Sequence, residues 1–293
     1  MLKQLVICGV LLMGGTACVE HTSCKKDSME NKDTLQIGPE DVLAGVNLTV
    51  GESKRLIAKG FCAMPEVRER LKKGMIIITR GTTNTYIAEE LVGLAEPHGA
   101  FLTGHFVPEG TRPLNKDVKT RGELILKDGK LVEMAYADAL KELGEGDIIL
   151  KGANLLNYAR KQAAVCIGAP DGGTTYRLLP YVGEGKARLI IPVGLEKETS
   201  ANLEEYEKIL NRKHEKLNFV PRLYLYRTGT VFTEIEALKQ FADVEVFPYG
   251  AGGVAGREGG ISLTLAGIPE EVEKALEAVR SVQGEQPFIS SFK

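Results

Sequence analysis

The sequence has no tryptophan, and aromatic residues make up only 6% of it. Surfaces that stack nucleic acid bases are built from aromatic rings, so this composition gives little support to such a surface. Charge of one sign is also lacking, because 37 lysines and arginines stand against 39 aspartates and glutamates, a net charge of −2. A charge this small attracts neither nucleic acid nor an anionic membrane, and we expect neither as a partner.

Cysteine and histidine are scarce. Only Cys62 and Cys166 lie beyond the first 24 residues, too few for a disulfide framework in so long a body. No HxxH or CxxC spacing occurs, so we predict no metal site. No GxxxxGK phosphate loop is present, and no nucleotide fingerprint argues for a redox cofactor. The expected cofactor content is therefore none.

The first 28 residues have two interpretations. Lys3 precedes an apolar run over residues 5–13, followed by small residues and then Cys18. This pattern resembles a bacterial lipoprotein signal with Cys18 lipidated, although Gly15 stands where leucine is usual. Alternatively, translation starts at Met29, which opens a hydrophilic stretch. We favour Met29 and a cytoplasmic protein, because unpaired cysteines suit that compartment; a lipidated Cys18 would instead anchor the protein to a membrane.

Residues 49–217 alternate helix patterns with strand patterns. Thr49 and Glu52 form a capping box that opens a helix through residue 59. Asp128-Gly129 lies between two alternating runs and predicts a hairpin. Apolar runs typical of strands buried on both faces occupy residues 75–79, 147–150, 163–167 and 187–193. We therefore predict an α/β fold with a Rossmann-like parallel-sheet domain over residues 49–217.

Residues 218–293 have a different character. Strand patterns at 222–227, 244–247, 261–265 and 288–289 enclose helix patterns at 233–241 and 272–279. The order βαββαβ predicts a C-terminal ferredoxin-like α+β module. Between its middle strands lies a glycine loop over residues 250–260, either a flexible hairpin connection or a place of close backbone approach. Residues 29–48 are polar and predict a loosely packed N-terminal arm.

The loop over residues 80–85, with sequence RGTTNT, follows a buried strand and opens a helix. The glycine allows a tight turn, and the amides at a helix start, together with hydroxyl groups, can hold a phosphate or carboxylate. A capped turn without a ligand is the alternative. The residues predicted to bind the anion are Gly81, Thr82, Thr83, Asn84 and Thr85.

Residues 74–91 read GMIIITRGTTNTYIAEEL, and residues 147–154 read DIILKGAN. The first stretch resembles the opening of the effector domain of DeoR-type sugar regulators and the phosphate loop of ribose-5-phosphate isomerase. The second resembles the second motif of the same isomerase and CoA-transferase-like superfamily. The resemblance covers residues 50–200. It implies a Rossmann-like fold, and it places a late strand and a lysine-bearing turn at residues 190–197, ending at Lys197.

One position departs from that resemblance. Isomerases of this class carry an acidic residue where this chain has Asn154, and an amide cannot act as a general base. This puts isomerase chemistry by the usual route in doubt. Lys151 could still steer an anion or polarise a carbonyl group; alternatively it is a solvated lysine at a strand end.

The segment over residues 166–175, CIGAPDGGTT, repeats the order of strand, Gly/Thr turn and helix. Two such loops on one sheet converge at the carboxyl ends of the strands. Asp171 is the best carboxylate for acid–base work, with an ordinary turn residue as the alternative. The residues predicted to complete the ligand site are Gly152, Asn154, Asn157, Gly172, Gly173, Thr174, Thr175 and Lys197.

These patterns predict that the chain binds a small phosphorylated or carboxylated metabolite. If it is an enzyme, the expected class is an isomerase or lyase acting on a sugar phosphate or similar carbonyl compound, with Asp171 as acid–base and Lys151 as electrostatic stabiliser. The alternatives are a non-catalytic metabolite sensor and a solute-binding lipoprotein. The sequence is compatible with a homo-oligomer. It leaves open which metabolite binds and whether the protein converts that metabolite.

Overall fold

The computed structural model describes residues 35–104, 106–107 and 120–288. Cys18 and Met29, on which the two predictions about the N-terminus depend, lie outside the described residues, as does residue 289 of the last predicted strand. The strands are β1 (Val42–Leu48), β2 (Met75–Ile78), β3 (Leu124–Lys127), β4 (Lys130–Val132), β5 (Ile148–Leu150), β6 (Leu155–Asn157), β7 (Gln162–Ile167), β8 (Arg188–Pro192), β9 (Arg222–Leu225), β10 (Thr230–Phe232), β11 (Glu245–Ala251) and β12 (Ile261–Gly267). The helices are α1 (Val50–Ala63), α2 (Pro65–Lys72), α3 (Thr82–Val92), α4 (Tyr136–Glu142), α5 (Gly173–Leu178), α6 (Leu203–Asn211), α7 (Glu234–Leu238) and α8 (Pro269–Arg280).

The central sheet has six strands in the order β10-β8-β5-β2-β3-β4. The first four are parallel, and the β3–β4 hairpin adds two antiparallel strands at one edge. The predictions for residues 75–79, 147–150 and 187–193 are confirmed by β2, β5 and β8. The prediction for residues 163–167 is wrong, because β7 lies in a separate antiparallel sheet of the order β6-β7-β9. Every residue of β2 is buried, and Ile77 pairs with Ile149 of β5. The α/β fold class is confirmed. Because parallel strands end at the same edge, the loops that follow β2, β5 and β8 lie side by side.

Helices α1, α3 and α7 pack together and contribute to the core of this part of the chain. The predicted capping box is present, since Glu52 accepts a hydrogen bond from the Thr49 amide and the Thr49 hydroxyl accepts one from Glu52. Gly60 lies so close to Ala237 that an added Cβ would stand 2.5 Å from the Ala237 backbone. A glycine at this position therefore lets α1 and α7 approach each other.

The segment expected to be a loosely packed arm contains a strand. β1 pairs with β12 in antiparallel register along its whole length, and Val46 and Leu48 are buried. The prediction is therefore wrong for residues 42–48. Only two of the seven residues are buried, and a single buried face on so short a run gives a weak pattern in the sequence.

The C-terminal part forms an α+β module whose antiparallel sheet has the order β1-β12-β11, with α8 packed on it. Val272, Ala275 and Val279 form the buried face of α8, as their spacing predicts. β9 and β10 instead pair with β7 and β8 of the preceding part of the chain. A module that begins at residue 218 and separates from residues 49–217 thus stays a prediction. Across the described ranges, no helix has the length and hydrophobicity needed to cross a bilayer.

Candidate functional site

The loops after β2 and β5 are joined edge to edge beyond the strands themselves. The Thr79 amide donates to the Leu150 carbonyl at 3.3 Å, and the Thr79 hydroxyl donates to the same oxygen at 2.7 Å. Asn84 then donates through Nδ2 to the Thr79 carbonyl at 2.7 Å. The start of α3 is thereby fixed beside Lys151, the residue that follows Leu150 in the chain.

The N-terminus of α3 has unused hydrogen-bonding capacity. The amides of Thr82, Thr83 and Asn84 have no hydrogen-bond acceptor in the described part of the chain. Thr83 Oγ1 and Asn84 Oδ1 are also buried and have no hydrogen-bond partner among the described residues. Thr83 is 4% exposed and Asn84 is 1% exposed. Thr85 differs, because its hydroxyl donates to the Gly81 carbonyl at 2.8 Å. Buried polar groups without hydrogen-bond partners lower the stability of the fold. A ligand that hydrogen-bonds to these groups would therefore be stabilised here.

Lys151 is the second unsatisfied group at this place. The residue is 8% exposed, and its ammonium has no hydrogen bond or ion pair with any described residue. Burial lowers the pKa of Lys151 to about 8; the Glu123 carboxylate acts in the opposite direction, and Arg80 lowers it further. A buried cation without a partner is unfavourable, and an anion beside it would remove that penalty.

Glu123 joins the two Gly/Thr loops. Its Oε1 accepts from Arg80 Nε at 3.2 Å and from the Thr174 hydroxyl at 3.3 Å. Tyr136 also holds this loop, through its hydroxyl donating to the Thr174 carbonyl at 3.2 Å. This carboxylate links residues 80–85 with residues 166–175, but β7 lies in the separate sheet β6-β7-β9, so the prediction that both loops follow strands of one parallel sheet is wrong. We call Arg80, Thr83, Asn84, Glu123 and Lys151 the strand-end cluster.

Glu123 was not among the predicted site residues. It precedes β3, whose register places Leu124 opposite Ile78, so that Glu123 falls beside the end of β2. The hairpin was predicted, but its pairing with β2 was not, and only that pairing brings this glutamate to the loops. Glu123 also lines a cavity of about 670 Å³ among the described residues, but Arg80, Thr83, Asn84 and Lys151 do not line it.

A tyrosine fixes the remaining side. The Tyr226 hydroxyl donates to the Gly152 carbonyl at 3.0 Å and also hydrogen-bonds the buried Thr175. The loop after β5 and the start of α5 are thus held together. Gly172 and Gly173 have φ of 83° and 55°, a backbone region that favours glycine, and they form the turn predicted before α5.

Four predicted site residues have contacts elsewhere. Asp171 is exposed and accepts from the Gly173 amide at 3.0 Å and from Arg177 at 2.9 Å, contacts that lower the pKa of its carboxyl group. Asn154 accepts from the Cys166 amide at 2.9 Å, and Asn157 caps the turn at Arg160. Lys197 donates to the Ala153 carbonyl at 2.9 Å. Their roles toward a ligand stay predictions, since these side chains already have protein partners.

A second group of charges lies after β8. Lys54 forms an ion pair with Glu196 at 2.9 Å, and the fully buried Glu234 accepts from the Leu195 amide at 3.0 Å. Burial, with the charge of Glu196, raises the pKa of Glu234 to about 7. We call Lys54, Glu196, Lys197 and Glu234 the paired cluster. It borders a cavity of about 380 Å³ lined also by the glycine loop, at residues 250–252 and 259–261.

Neither a metal site nor a reactive thiol is found among the described residues. No group of three or more potential ligands among the described histidines, cysteines, aspartates and glutamates could hold a metal ion. Burial raises the pKa of Cys62 to about 12 and raises that of Cys166, so neither is a ready thiolate.

Comparisons of the chain with protein-family models, with curated proteins and with solved structures found no match.

Proposed function

We propose that the strand-end cluster binds a small phosphorylated or carboxylated metabolite. One observation carries the proposal: the ammonium of the buried residue Lys151 has no anionic partner among the described residues, and Lys151 follows β5 beside a helix N-terminus with groups at Thr83 and Asn84 that have no described partner. The anion would pair with Lys151 and accept from the free amides of α3. Asn84 Oδ1, an acceptor, would take a hydroxyl group of the same ligand.

The ligand class we favour is a carbonyl compound, and the reaction an isomerisation or a carbon–carbon cleavage. Either reaction needs a group that moves a proton and a cation that stabilises developing negative charge. Glu123 and Lys151 meet these needs in one place, and electrostatic interaction between them is part of the site. Asp171, the carboxylate first expected in this role, is held by its own turn.

A non-catalytic sensor is the second candidate, and the contacts of Asn154 favour it. The amide holds the Cys166 backbone where isomerases of the resembled superfamily carry an acid. Replacing Glu123 by glutamine separates the two candidates. An enzyme should lose turnover and keep much of its affinity, whereas a sensor has no turnover to lose. Asp171→Asn is the matched control and should change neither property.

Calorimetric titration tests the binding site itself. A thermal-shift screen of sugar phosphates and small carboxylates comes first, since a ligand at about 100 times its dissociation constant stabilises by roughly 2.7 kcal/mol. With the best ligand, Thr83→Val should weaken binding by about 1.5–3 kcal/mol, the range for hydrogen bonds to charged groups. Thr83→Glu should abolish binding through charge repulsion. Unchanged affinity in Thr83→Val and in Lys151→Met would place the ligand elsewhere.

A further inference from the structure

We propose that Lys151 is a covalent catalyst, whose amine forms an imine with the aldehyde or keto group of the bound metabolite. This inference rests on the proposed function, because the anionic group of the metabolite must first be held at the start of α3. It assigns Lys151 a role beyond electrostatic stabilisation, and it identifies the ligand as a carbonyl compound that carries a phosphate or a carboxylate.

The first argument is the environment of the amine. Lys54 has a carboxylate partner and Lys197 a carbonyl partner, whereas the ammonium of Lys151 has none in the described ranges. A lysine free of such contacts can give up its proton and turn its lone pair toward a substrate. Burial makes this easier, because it lowers the pKa of Lys151 to about 8. At pH 7 such a lysine has roughly 300-fold more free amine than an exposed lysine.

The second argument is the neighbourhood of the amine. Lys151 follows β5 directly, so the sheet fixes its backbone, and its amide donates to the Ile190 carbonyl at 3.1 Å. At the adjacent start of α3, Thr83 Oγ1 can donate to an anion and Asn84 Oδ1 can accept from a hydroxyl group, and neither atom has a described partner. The Glu123 side chain is 10% exposed, and its carboxylate interacts with the charge of Lys151. A nucleophile, a proton carrier and a binding site for the substrate's anion are therefore present together.

The neutral amine attacks the carbonyl carbon, and the pair of π electrons moves to oxygen, which leaves a positive charge on nitrogen. Glu123, acting through a water molecule, takes one proton from this nitrogen and gives it to the oxygen, which forms a neutral carbinolamine. A proton from the solvent, passed on by Glu123, then converts the hydroxyl group into water. The carbon–oxygen bond breaks, water leaves with its electron pair, and the nitrogen lone pair forms the carbon–nitrogen double bond. The net change is amine plus carbonyl plus one proton to protonated imine plus water, and the protonated imine can then accept electrons from a neighbouring bond.

Reductive trapping tests the inference on the full-length protein. The protein is incubated with dihydroxyacetone phosphate, and separately with pyruvate, and then treated with sodium borohydride, which converts an imine into a stable secondary amine. Peptide mapping by mass spectrometry locates the adduct. We expect at least one probe to modify Lys151 roughly 300-fold faster than an exposed lysine such as Lys72, and inorganic phosphate to slow this reaction. Lys151→Arg should remove the adduct, whereas Lys72→Arg should not.

If neither probe modifies Lys151 faster than Lys72, the inference is overturned. This comparison of rates needs only the wild-type protein, so it holds whether or not the variants fold. Calorimetry with the same two probes and with inorganic phosphate keeps the proposed function separate. Binding that Thr83→Glu abolishes, without an adduct, refutes the imine and leaves the binding site standing. Absence of any binding refutes the anion site as well.

Discussion

The strand-end cluster and the paired cluster use the same residue types at the same edge of one sheet, with opposite results. After β8, Lys54 lies 2.9 Å from Glu196, and Glu234 accepts from the backbone. After β5, Lys151 is buried to a similar degree without any such partner in the part of the chain that the structure describes. Buried charges that are paired hold the surrounding structure in place, whereas a buried charge that is left unpaired weakens the fold. We infer that the first arrangement serves the fold and the second a ligand.

The acidic partners differ in the same way. Burial would raise the pKa of Glu196, but Lys54 and Lys197 lower it, so this carboxylate remains charged. In the strand-end cluster, Glu123 accepts hydrogen bonds from Arg80 and Thr174, and the Lys151 ammonium has no hydrogen bond with any residue that the structure describes. Replacing corresponding residues in the two clusters should therefore change stability in opposite directions.

The largest effect is expected for Lys54→Met. Its side chain is 6% exposed, and its removal would leave Glu196 buried without a cation at close range. Breaking a buried pair from one side costs about 3–5 kcal/mol. Urea unfolding at pH 7 measures the loss. Lys59→Met is the control on the same helix, because Lys59 makes only an exposed bond to the Ser281 carbonyl. Equal losses in the two variants would contradict the importance assigned to the ion pair.

Lys151→Met should have the opposite sign and stabilise the protein without ligand by about 1–3 kcal/mol at pH 7, because it removes a buried, unpaired charge. The folded protein releases this proton near pH 8 and the unfolded chain near 10.5. Between these values the unfolded state binds more protons, so the unfolding free energy of the wild type rises with pH. The advantage of the variant should thus be full below pH 8 and shrink towards pH 10.5. A destabilised variant would mean that the ammonium has a partner in the folded protein.

Local signals in the sequence predicted much of this fold. The capping box at Thr49 and the turn at Asp128-Gly129 depend on neighbours within four residues, and both are present. Apolar runs located the buried strands β2, β5 and β8, because such runs fit a sheet covered on both faces. The same kind of run also located β7, but this strand lies in the separate antiparallel sheet β6-β7-β9 and not in the predicted parallel sheet.

Local sequence patterns do not predict contacts between segments that are distant along the chain. β1 finds its partner more than 200 residues later, and nothing near Val46 indicates that pairing. Glu123 joins the site only through the register of β3 on β2. For the same reason Asp171 looked like the best carboxylate, since the sequence shows its loop but not the Arg177 contact that holds it. Pairing across the fold decides which polar groups are left without partners.

Glu234→Gln should have a smaller effect, because it changes a charge that is only partly formed at neutral pH. The folded protein takes up this proton near pH 7 and the unfolded chain near pH 4.5. Between these values the folded state binds more protons, so this group's contribution to stability is full below pH 4.5 and is lost as the pH rises through 7. The wild type should therefore lose stability relative to the variant over that range. Unfolding free energies at pH 5 and pH 8 measure this difference, and a difference that stays constant would show that Glu234 is already charged at pH 5.

The smallest change in stability is expected for Thr83→Val, and Thr85→Val is its matched control on the same turn of α3. Both threonines are buried, but among the described residues only the Thr85 hydroxyl has a partner, the Gly81 carbonyl at 2.8 Å. Removing a hydroxyl that has no partner should alter the unfolding free energy by less than about 0.5 kcal/mol, whereas removing the Thr85 hydroxyl should cost about 0.5–1.5 kcal/mol. Urea unfolding without ligand compares the two. Equal losses would show that Thr83 does have a partner in the folded protein, and would withdraw one of the unpartnered groups assigned to the anion.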